Sequence, residues 1–435
     1  MAANQGFGNL HLKTDLTNEK KILQTPGAYA YSQGRETGNC LHTTGFFRKN
    51  HNTTRAKPMT PLIIIFWTSL AAIFYAYLGY PLLLHLLAGM GFGRKEGKIS
   101  GNFRPSISII IPAHNEGKIL EDKIVNILDL DYPKEKREIL IISDGSTDNT
   151  GAIAKKYLDR LDFFELEKRS GKTAALNLGL EKARNEIIVF LDASIMLKKD
   201  ALQNVVCQFV DPSIGCISGE DHIKGAGGEG LYGRYELKLR NLESKLHSIV
   251  GASGSFYAQR KKLCRPFSEG LAPDFISVLN TVEQGFRAIT EPTAIGYMTA
   301  VKKSSDELAR KVRTIVRGMT ALFFKRQLLN PFRHGFFAFE LISHKIIRWL
   351  VPFFLISAFV SNMILSTEPF YLLLFLGQLL FYLLALGSLY NLPFFRAIPI
   401  GKISNYFVIV NIAALTAWWK YLRGQRLEIW TPSQR

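Results

Sequence analysis

Cysteine is scarce in this chain of 435 residues: four stand in it, Cys40, Cys207, Cys216 and Cys264. They are scattered without metal-ligand or redox spacing, so no chemistry is assigned to them, and the usage fits a reducing compartment. Acidic residues are short too, with 36 Asp and Glu against 54 Lys and Arg and a formal net charge of +18. That excess would suit a nucleic-acid binder, but no nucleic-acid-binding module is present, and many of the basic residues flank apolar runs instead. A Walker loop is also missing. Gly171-Lys172-Thr173 imitates its end, but Leu166 stands where the loop needs a glycine, which excludes a P-loop nucleotidase. Residues 1–58 lack both apolar periodicity and the apolar core of a signal peptide, and they read as a disordered tail. Met59 directly precedes the first apolar run, so one expectation is that translation starts there.

Long apolar runs are what the chain does have. One occupies 62–88, and three more lie near 346–365, 370–390 and 403–419, around a middle of ordinary soluble composition. Each can cross a hydrocarbon core of about 30 Å, the other reading being a buried helix of a soluble protein. Arg94, Lys95 and Lys98 follow the first run, and Lys345 and Arg348 open the second. Basic residues at both inner ends place the middle in the cytoplasm against anionic lipid, as in a multi-pass protein of the plasma (inner) membrane. One span before the middle and three after it would leave both termini outside, whereas Lys420, Arg423 and Arg426 argue for an inside tail. Asn405 and Asn411 mark the last run as the one that is re-entrant or interfacial. His334 and His344, in and just after an aromatic stretch from Pro331, read as interfacial hydrogen-bonders. The expected organisation is a tail at 1–58, a first transmembrane helix at 59–90, an α/β domain at 100–330, an interfacial segment at 331–344, about three membrane segments at 345–422 and a basic tail at 423–435.

Within the middle, β-branched runs alternate with helical patterns: Ser106–Ile111, a helix to about Leu130, Ile139–Ile142, a helix to about Leu158, Phe163–Leu166, a helix from Lys172 to Ala183, and Ile187–Leu191. This βαβα order predicts a mostly parallel sheet with helices on both faces. Asp192 follows the last strand, so a carboxylate sits where a doubly buried strand ends, the place where open α/β sheets bind ligands. Unpaired there it would cost several kcal/mol, and a metal-held phosphate is one way to satisfy it. Beyond Cys216 the pattern is less regular, and Gly225–Gly230 reads as a mobile or plain surface loop.

Four short segments fall at such strand ends or helix starts: Pro112-Ala113-His114-Asn115-Glu116, Ser143-Asp144-Gly145-Ser146-Thr147-Asp148, Ser170-Gly171-Lys172-Thr173 and Asp192-Ala193-Ser194. Singly each has a bland reading, with Asn115 and Asp148 as helix caps and Asp-Gly-Ser as a common turn. In this order the set resembles the membrane-integrated family 2 glycosyltransferases, the group of cellulose, hyaluronan and poly-N-acetylglucosamine synthases. The resemblance runs over roughly 62–435, including Tyr75-Ala76-Tyr77-Leu78-Gly79-Tyr80-Pro81 and the tail Trp430-Thr431-Pro432-Ser433-Gln434-Arg435. It implies a GT-A fold, a Rossmann-like and mostly parallel α/β domain flanked by transmembrane helices. It also implies a nucleotide-sugar donor, with Pro112, Asn115 and Glu116 bordering the uridine, Asp144 on the nucleobase and Lys172 near the nucleotide. Asp192 would hold Mg2+ or Mn2+ on the diphosphate. Ser194 replaces the second carboxylate of the Asp-X-Asp motif and can ligate only through its hydroxyl or a water.

Transfer also needs a base for the acceptor hydroxyl. Leu271-Ala272-Pro273-Asp274-Phe275 resembles the family's Glu-Asp segment, with Pro273 in place of the first acid, which implies Asp274 as base. A helix N-cap is the other reading of Asp274, and Glu283 is the alternative carboxylate. Gly251-Ala252-Ser253-Gly254-Ser255 resembles the small-residue segment beside the acceptor and puts Ser253 and Gly254 on the acceptor side; a turn feeding an ordinary strand is the plainer reading. Where processive members carry Gln-X-X-Arg-Trp, this chain has Arg310-Lys311-Val312-Arg313-Thr314. Arg313 keeps the cation for the diphosphate, the stacking tryptophan is gone, and a basic stripe of Arg310, Arg313 and Arg317 on the membrane surface is the plainer reading. The resemblance thus implies inverting transfer of a sugar, UDP-linked as in that group, to a lipid-linked or growing glycan acceptor. Transfer of one sugar to a lipid carrier, or a non-catalytic glycan-translocating subunit, are the rival readings. Expected partners are the donor, the acceptor and membrane lipids, with accessory subunits of an export system left open and nucleic acid excluded.

Overall fold

In the computed structural model, residues 59–93, 103–224, 228–299, 304–389 and 399–425 are described. The tail at 1–58, the basic residues Arg94, Lys95 and Lys98, the glycines at 225 and 227, and the last ten residues with Arg426 lie outside them.

The β-branched runs form the strands their composition calls for. β1 (Ile107–Ala113), β2 (Arg137–Asp144), β3 (Asp162–Leu166) and β4 (Ile187–Leu191) pair in parallel. β5 (Met196–Leu197), β6 (Ile214–Lys224), β7 (Phe256–Arg260) and β8 (Arg287–Thr299) complete an 8-stranded sheet in the order β3-β2-β1-β4-β7-β6-β8-β5. β7 is antiparallel to both β4 and β6, so the sheet is mixed at its second half.

Strand alternation divides the interior into two layers. Ile107, Ile109 and Ile111 of β1, with Val189 and Leu191 of β4, join one cluster, which is closed by α3 (Leu120–Leu128), α4 (Thr150–Lys155) and α6 (Ala201–Cys207). Ile110, Leu140, Ile188 and Phe190 point the other way, onto α5 (Lys172–Lys182), α8 (Pro273–Glu283) and α9 (Ser304–Phe324). This second layer continues without a break into Trp349, Ala413 and Ala417 of the C-terminal helices. α5 lies directly on β1, because Gly179 presents no side chain there; a Cβ at Gly179 would stand 2.4 Å from Ile110 Cγ2.

Among the described residues three helices are long and apolar enough to cross a membrane: Met59–Gly89, Pro331–Leu365 and Pro369–Leu389. The first joins α1 (Met59–Phe74) to α2 (Tyr80–Gly89) through a π-turn at Tyr75–Gly79. The second joins α10 (Pro331–Leu341) to α11 (Arg348–Leu365) through another π-turn, Ile342–Ile347. The expected interfacial segment 331–344 is therefore part of a longer helix, broken only at Gly335, whose φ of 52° no ordinary helix allows. α12 (Pro369–Leu389) is the third, and α13 (Pro399–Leu422) follows it. Where the sequence suggested a loop over Gly225–Gly230, a helix, α7 (Gly228–Leu246), has already begun at Gly228. Its Tyr235, Leu239, Leu242 and Leu246 recur every three or four residues and pack on Tyr80 and Leu84 of α2, which is why a glycine-rich start still yields a helix.

Gly179→Ala should therefore lower stability by about 1–3 kcal/mol, the usual cost of overpacking a filled interior. A thermal unfolding midpoint equal to that of the unmutated protein would show that α5 can lift off β1 freely.

Candidate active site

The loops after β1 and β2 are laced together. Asn115 accepts the Thr147 N–H at 2.8 Å and gives its own N–H to Ser146, and Asp148 accepts from Gly117 N at 2.9 Å and Thr150 N at 3.0 Å. Those bonds hold the Asp148 carboxyl below the usual range although burial works the other way. Asn115 has a φ of 53°, a left-handed conformation that asparagine tolerates better than most residues. Glu116 gives its N–H to Thr150 Oγ1 at 2.9 Å, so Asn115 and Glu116 are both bonded to the segment after β2.

Asp144 is buried at the tip of β2, and both carboxylate oxygens are engaged. One accepts Ser170 N at 2.6 Å and the other Gly171 N at 2.8 Å. Gly145, at φ 57°, lets the 168–171 loop cross close above it; a Cβ there would lie 2.4 Å from Arg169 N. Asp144 thus fixes the entry of α5 and with it the placement of Lys172.

Lys172 reaches across to Asp192, with Nζ 2.5 Å from Oδ1, while Asp192 N donates to Ser255 O at 2.9 Å. A narrow cavity of about 20 Å³ gathers Pro112, Lys172, Asp192, Gly254 and Asp274. Five residues from separate sequence motifs therefore meet at one point. Gly254 lies beside Asp274, and a Cβ there would meet Asp274 Oδ2 at an ordinary contact distance of 3.7 Å. Ser253 is spent on structure: its hydroxyl donates to Asp221 at 2.6 Å and accepts from Ser255 N and Phe256 N. Ser194 is half-buried beside Asp192 on the same loop.

Asp274 is the second residue of α8, where a negative charge favours the helix N-terminus. It does not cap the helix, because Ala272 holds the N-cap position. It also lines a second, larger cavity of about 310 Å³ that extends to Tyr77, Lys345, Trp349 and Ala414 of the membrane helices. The alternative carboxylate Glu283 is tied to Lys325 at 2.5 Å and Gln327 at 2.6 Å, and it lines neither cavity.

Arg313 is not brought to this cluster. It lines neither cavity, while Arg310, Lys311 and Thr314 line the larger one. Arg317 is buried instead: its guanidinium donates to Leu271 O at 2.6 Å, and burial lowers its pKa although the charge of Asp274 works the other way. Of the basic stripe of α9, Arg310 lines the larger cavity and Arg317 is buried. Sequence reasoning also missed a charged network at the larger cavity. His344 lies 2.6 Å from Glu243 and 3.2 Å from Glu236, Arg348 is 2.7 Å from Glu236, and Tyr80 donates to Glu243 at 2.9 Å. Burial disfavours the charge of Glu236, but Arg348 and His344 outweigh it and hold the carboxyl well below its usual range. Apolar spacing in α7 was the only available signal.

Among the described residues no three His, Cys, Asp or Glu side chains form a metal cluster. Asp192 alone still suits a divalent cation of the Mg2+ or Mn2+ type, which is commonly held by one or two carboxylates together with substrate phosphates. The buried thiols are inert: Cys264 is pushed up to about 12 by burial, and Cys216 is raised further by the same cause.

Residues 108–265 match the family model described as Glycosyl transferase family 2. Over 160 residues the chain is 31% identical to the poly-beta-1,6-N-acetyl-D-glucosamine synthase of Staphylococcus aureus (strain COL), which covers 33% of this chain and 38% of that one. It is 35% identical over 121 residues to the synthase of that name from Staphylococcus epidermidis, covering 27% and 29%. The chain thus spans well under half the length of these curated relatives. A mannosyltransferase of Pyrobaculum calidifontis, solved in complex with GDP-Man and Mn2+, superposes with a TM-score of 0.64 over 84% of this chain and 99% of that one, at 24% identity. That likeness establishes the GT-A fold.

Two predictions arise here. Asp144→Ala removes a charged acceptor from two amides and should cost about 2–4 kcal/mol, with Asp144→Asn recovering part of it; unfolding midpoints in detergent measure both. Lys123 of α3 is fully buried beneath the Asp192 loop, where its ammonium donates to Ile195 O. Burial lowers its amine to about 7, with Asp192 opposing. The unfolded chain then binds the extra proton above that value, so this group's contribution to stability rises with pH from about 7 to about 10, by up to about 1.4 kcal/mol per pH unit. The stability of Lys123→Met relative to the unmutated protein should accordingly fall as pH is raised from 7 to 9. A constant difference would mean that Lys123 stays charged.

Proposed function

This chain carries a glycosyltransferase family 2 domain on a GT-A fold, and from that premise we propose that it moves a sugar, with inversion, from a nucleotide donor to an acceptor held against the membrane helices. The observation that carries the proposal is the position of Asp274 in the wall shared by two cavities. On one side lie Lys172, Asp192 and Pro112, suited to a nucleoside diphosphate; on the other is a chamber with room for a sugar-sized acceptor.

In the proposed step an acceptor hydroxyl forms a bond to the anomeric carbon while the bond from that carbon to the diphosphate breaks. Asp274 takes the acceptor proton. It makes no hydrogen bond to a described side chain, so its lone pairs are available, and Gly254 leaves the acceptor room to approach. Lys172, already beside Asp192, rather than Arg313, is the cation best placed for charge developing on the leaving group. A divalent cation, if bound, would be held by Asp192 with Ser194 nearby and would neutralise the diphosphate. The rim made by Asn115 and Glu116 is proposed to border the nucleoside, read here as uridine, with Asp144 acting through the loop it holds rather than by direct contact.

Thr314 lines the chamber where processive members place the tryptophan, which favours addition of one or few sugars over long polymer synthesis. If the three spans found among the described residues, one before the catalytic domain and two after, are the ones that cross, α13 and Lys420 lie on the cytoplasmic side with that domain. This arrangement removes the charge conflict that four spans create.

The test is nucleoside diphosphate release by purified protein with Mn2+ or Mg2+ across a panel of nucleotide sugars, together with product length. Asp192→Ala should abolish release. Asp274→Asn should lower transfer at least about 100-fold while sparing donor binding. Turnover retained in Asp274→Asn would remove Asp274 from the role, and long products would overturn the non-processive reading.

A further inference from the structure

Asp274 can serve as a base only while α8 holds it in one place, and the entry of that helix carries little of its own to do so. Ala272 occupies the N-cap position with no side chain able to bond a helix amide, and Pro273 at the first helical position has no N–H. Just ahead, Gly270 adopts a φ of 76° and the Leu271 N–H reaches Ser268 O only at 3.4 Å. The ladder of α8 begins one residue later, where Ile276 N donates to Ala272 O at 2.9 Å. The carbonyl of Leu271 therefore lies outside the helix's own bonds, in a buried residue, and a buried carbonyl has to find a donor elsewhere.

The donor comes from α9. Arg317 gives Leu271 O two hydrogen bonds, from Nε at 3.1 Å and from Nη2 at 2.6 Å. Two bonds from one planar guanidinium fix the direction of the carbonyl as well as its distance. Arg317 is 8% exposed and lines neither cavity, so it acts from outside both spaces, whereas Ala272 and Asp274 line the chamber. The next residue, Gly318, faces that chamber and lets α9 lie against Trp349, with 3.4 Å between the ring and the place a Cβ would take. α9 is thus packed on the C-terminal helices and grips the start of α8. Its charge is engaged as well: burial disfavours the charged guanidinium and Arg313 adds to that, while the carboxylate of Asp274 works the other way.

We infer that Arg317 is a positioning residue of the transfer step: its grip on the Leu271 carbonyl sets the entry of α8 and thereby the place of Asp274 in the wall of both cavities. This role rests on the reading of Asp274 as the base.

Full-length Arg317→Met, Arg317→Gln and Arg317→Lys are compared with the unmutated protein in lipid nanodiscs, each with its unfolding midpoint. Turnover is read as nucleoside diphosphate release from the donor that the unmutated protein uses, and affinity by titration with that nucleoside diphosphate and Mn2+. Arg317→Met should lower kcat about 10-fold or more, the cost of a displaced catalytic group. Nucleoside diphosphate affinity should stay within about twofold, because Arg317 lines neither cavity. Arg317→Gln and Arg317→Lys, which offer the carbonyl a single donor atom, should fall between, and they carry the comparison should Arg317→Met not fold. A kcat within about twofold of normal in every variant that folds overturns the inference. So does a loss of kcat matched by an equal loss of nucleoside diphosphate affinity, the mark of a residue that only supports the fold. Asp274→Asn in the same preparation keeps the two readings apart. Full turnover in Asp274→Asn sinks the base reading, and inactivity there beside near-normal Arg317 variants sinks this inference alone.

Discussion

A carboxylate at the tip of a strand buried on both faces has to be neutralised, and much of the architecture around Asp192 does that. β4 is buried along its whole length, so Asp192 cannot retreat into solvent along the strand. Lys172 meets it at 2.5 Å, and Lys172 is in position because α5 starts where Asp144 holds the amides of Ser170 and Gly171. Lys123 stands beneath the same loop. Each of these groups would be an expensive burial alone; together they make a site whose charge is already arranged for an anionic leaving group.

The catalytic sheet and the membrane helices share one interior. The layer that begins with Ile110 and Phe190 ends with Trp349, Ala413 and Ala417, and Trp418 donates to Trp349 O at 2.8 Å. Across the chamber, Glu236 and Glu243 of α7 are bound by His344 and Arg348, and Arg348 packs against Tyr77 and Tyr235 at 5.3 Å. Breaking one member of such a network leaves a buried charge behind, so the two parts are held in a fixed relation.

The first half of the sheet was legible in the sequence, because β1, β2 and β4 are buried on both faces and leave uninterrupted β-branched runs. Asp192 was legible as a carboxylate at a strand end, Pro112, Lys172, Gly254 and Asp274 were singled out through the family resemblance, and the structure brings all five together. What stayed hidden depends on partners far apart in the chain. His344 pairs with glutamates about a hundred positions away, and Arg317 is consumed by the carbonyl of Leu271. The structural uses of Ser253 and Asp144 were equally invisible, since a hydroxyl or carboxylate that holds a turn has the same sequence signature as one that holds a ligand. α7 was obscured by its glycine-rich start, which masks an apolar periodicity that only α2 reveals.

Asp274 lines two spaces, one bounded by the strand ends and the other reaching the C-terminal helices. Two substrates arriving by separate routes need not wait for each other. If the proposed donor and acceptor each take one of these spaces, neither needs the other's space, and a random-order ternary complex is expected over a compulsory sequence of binding.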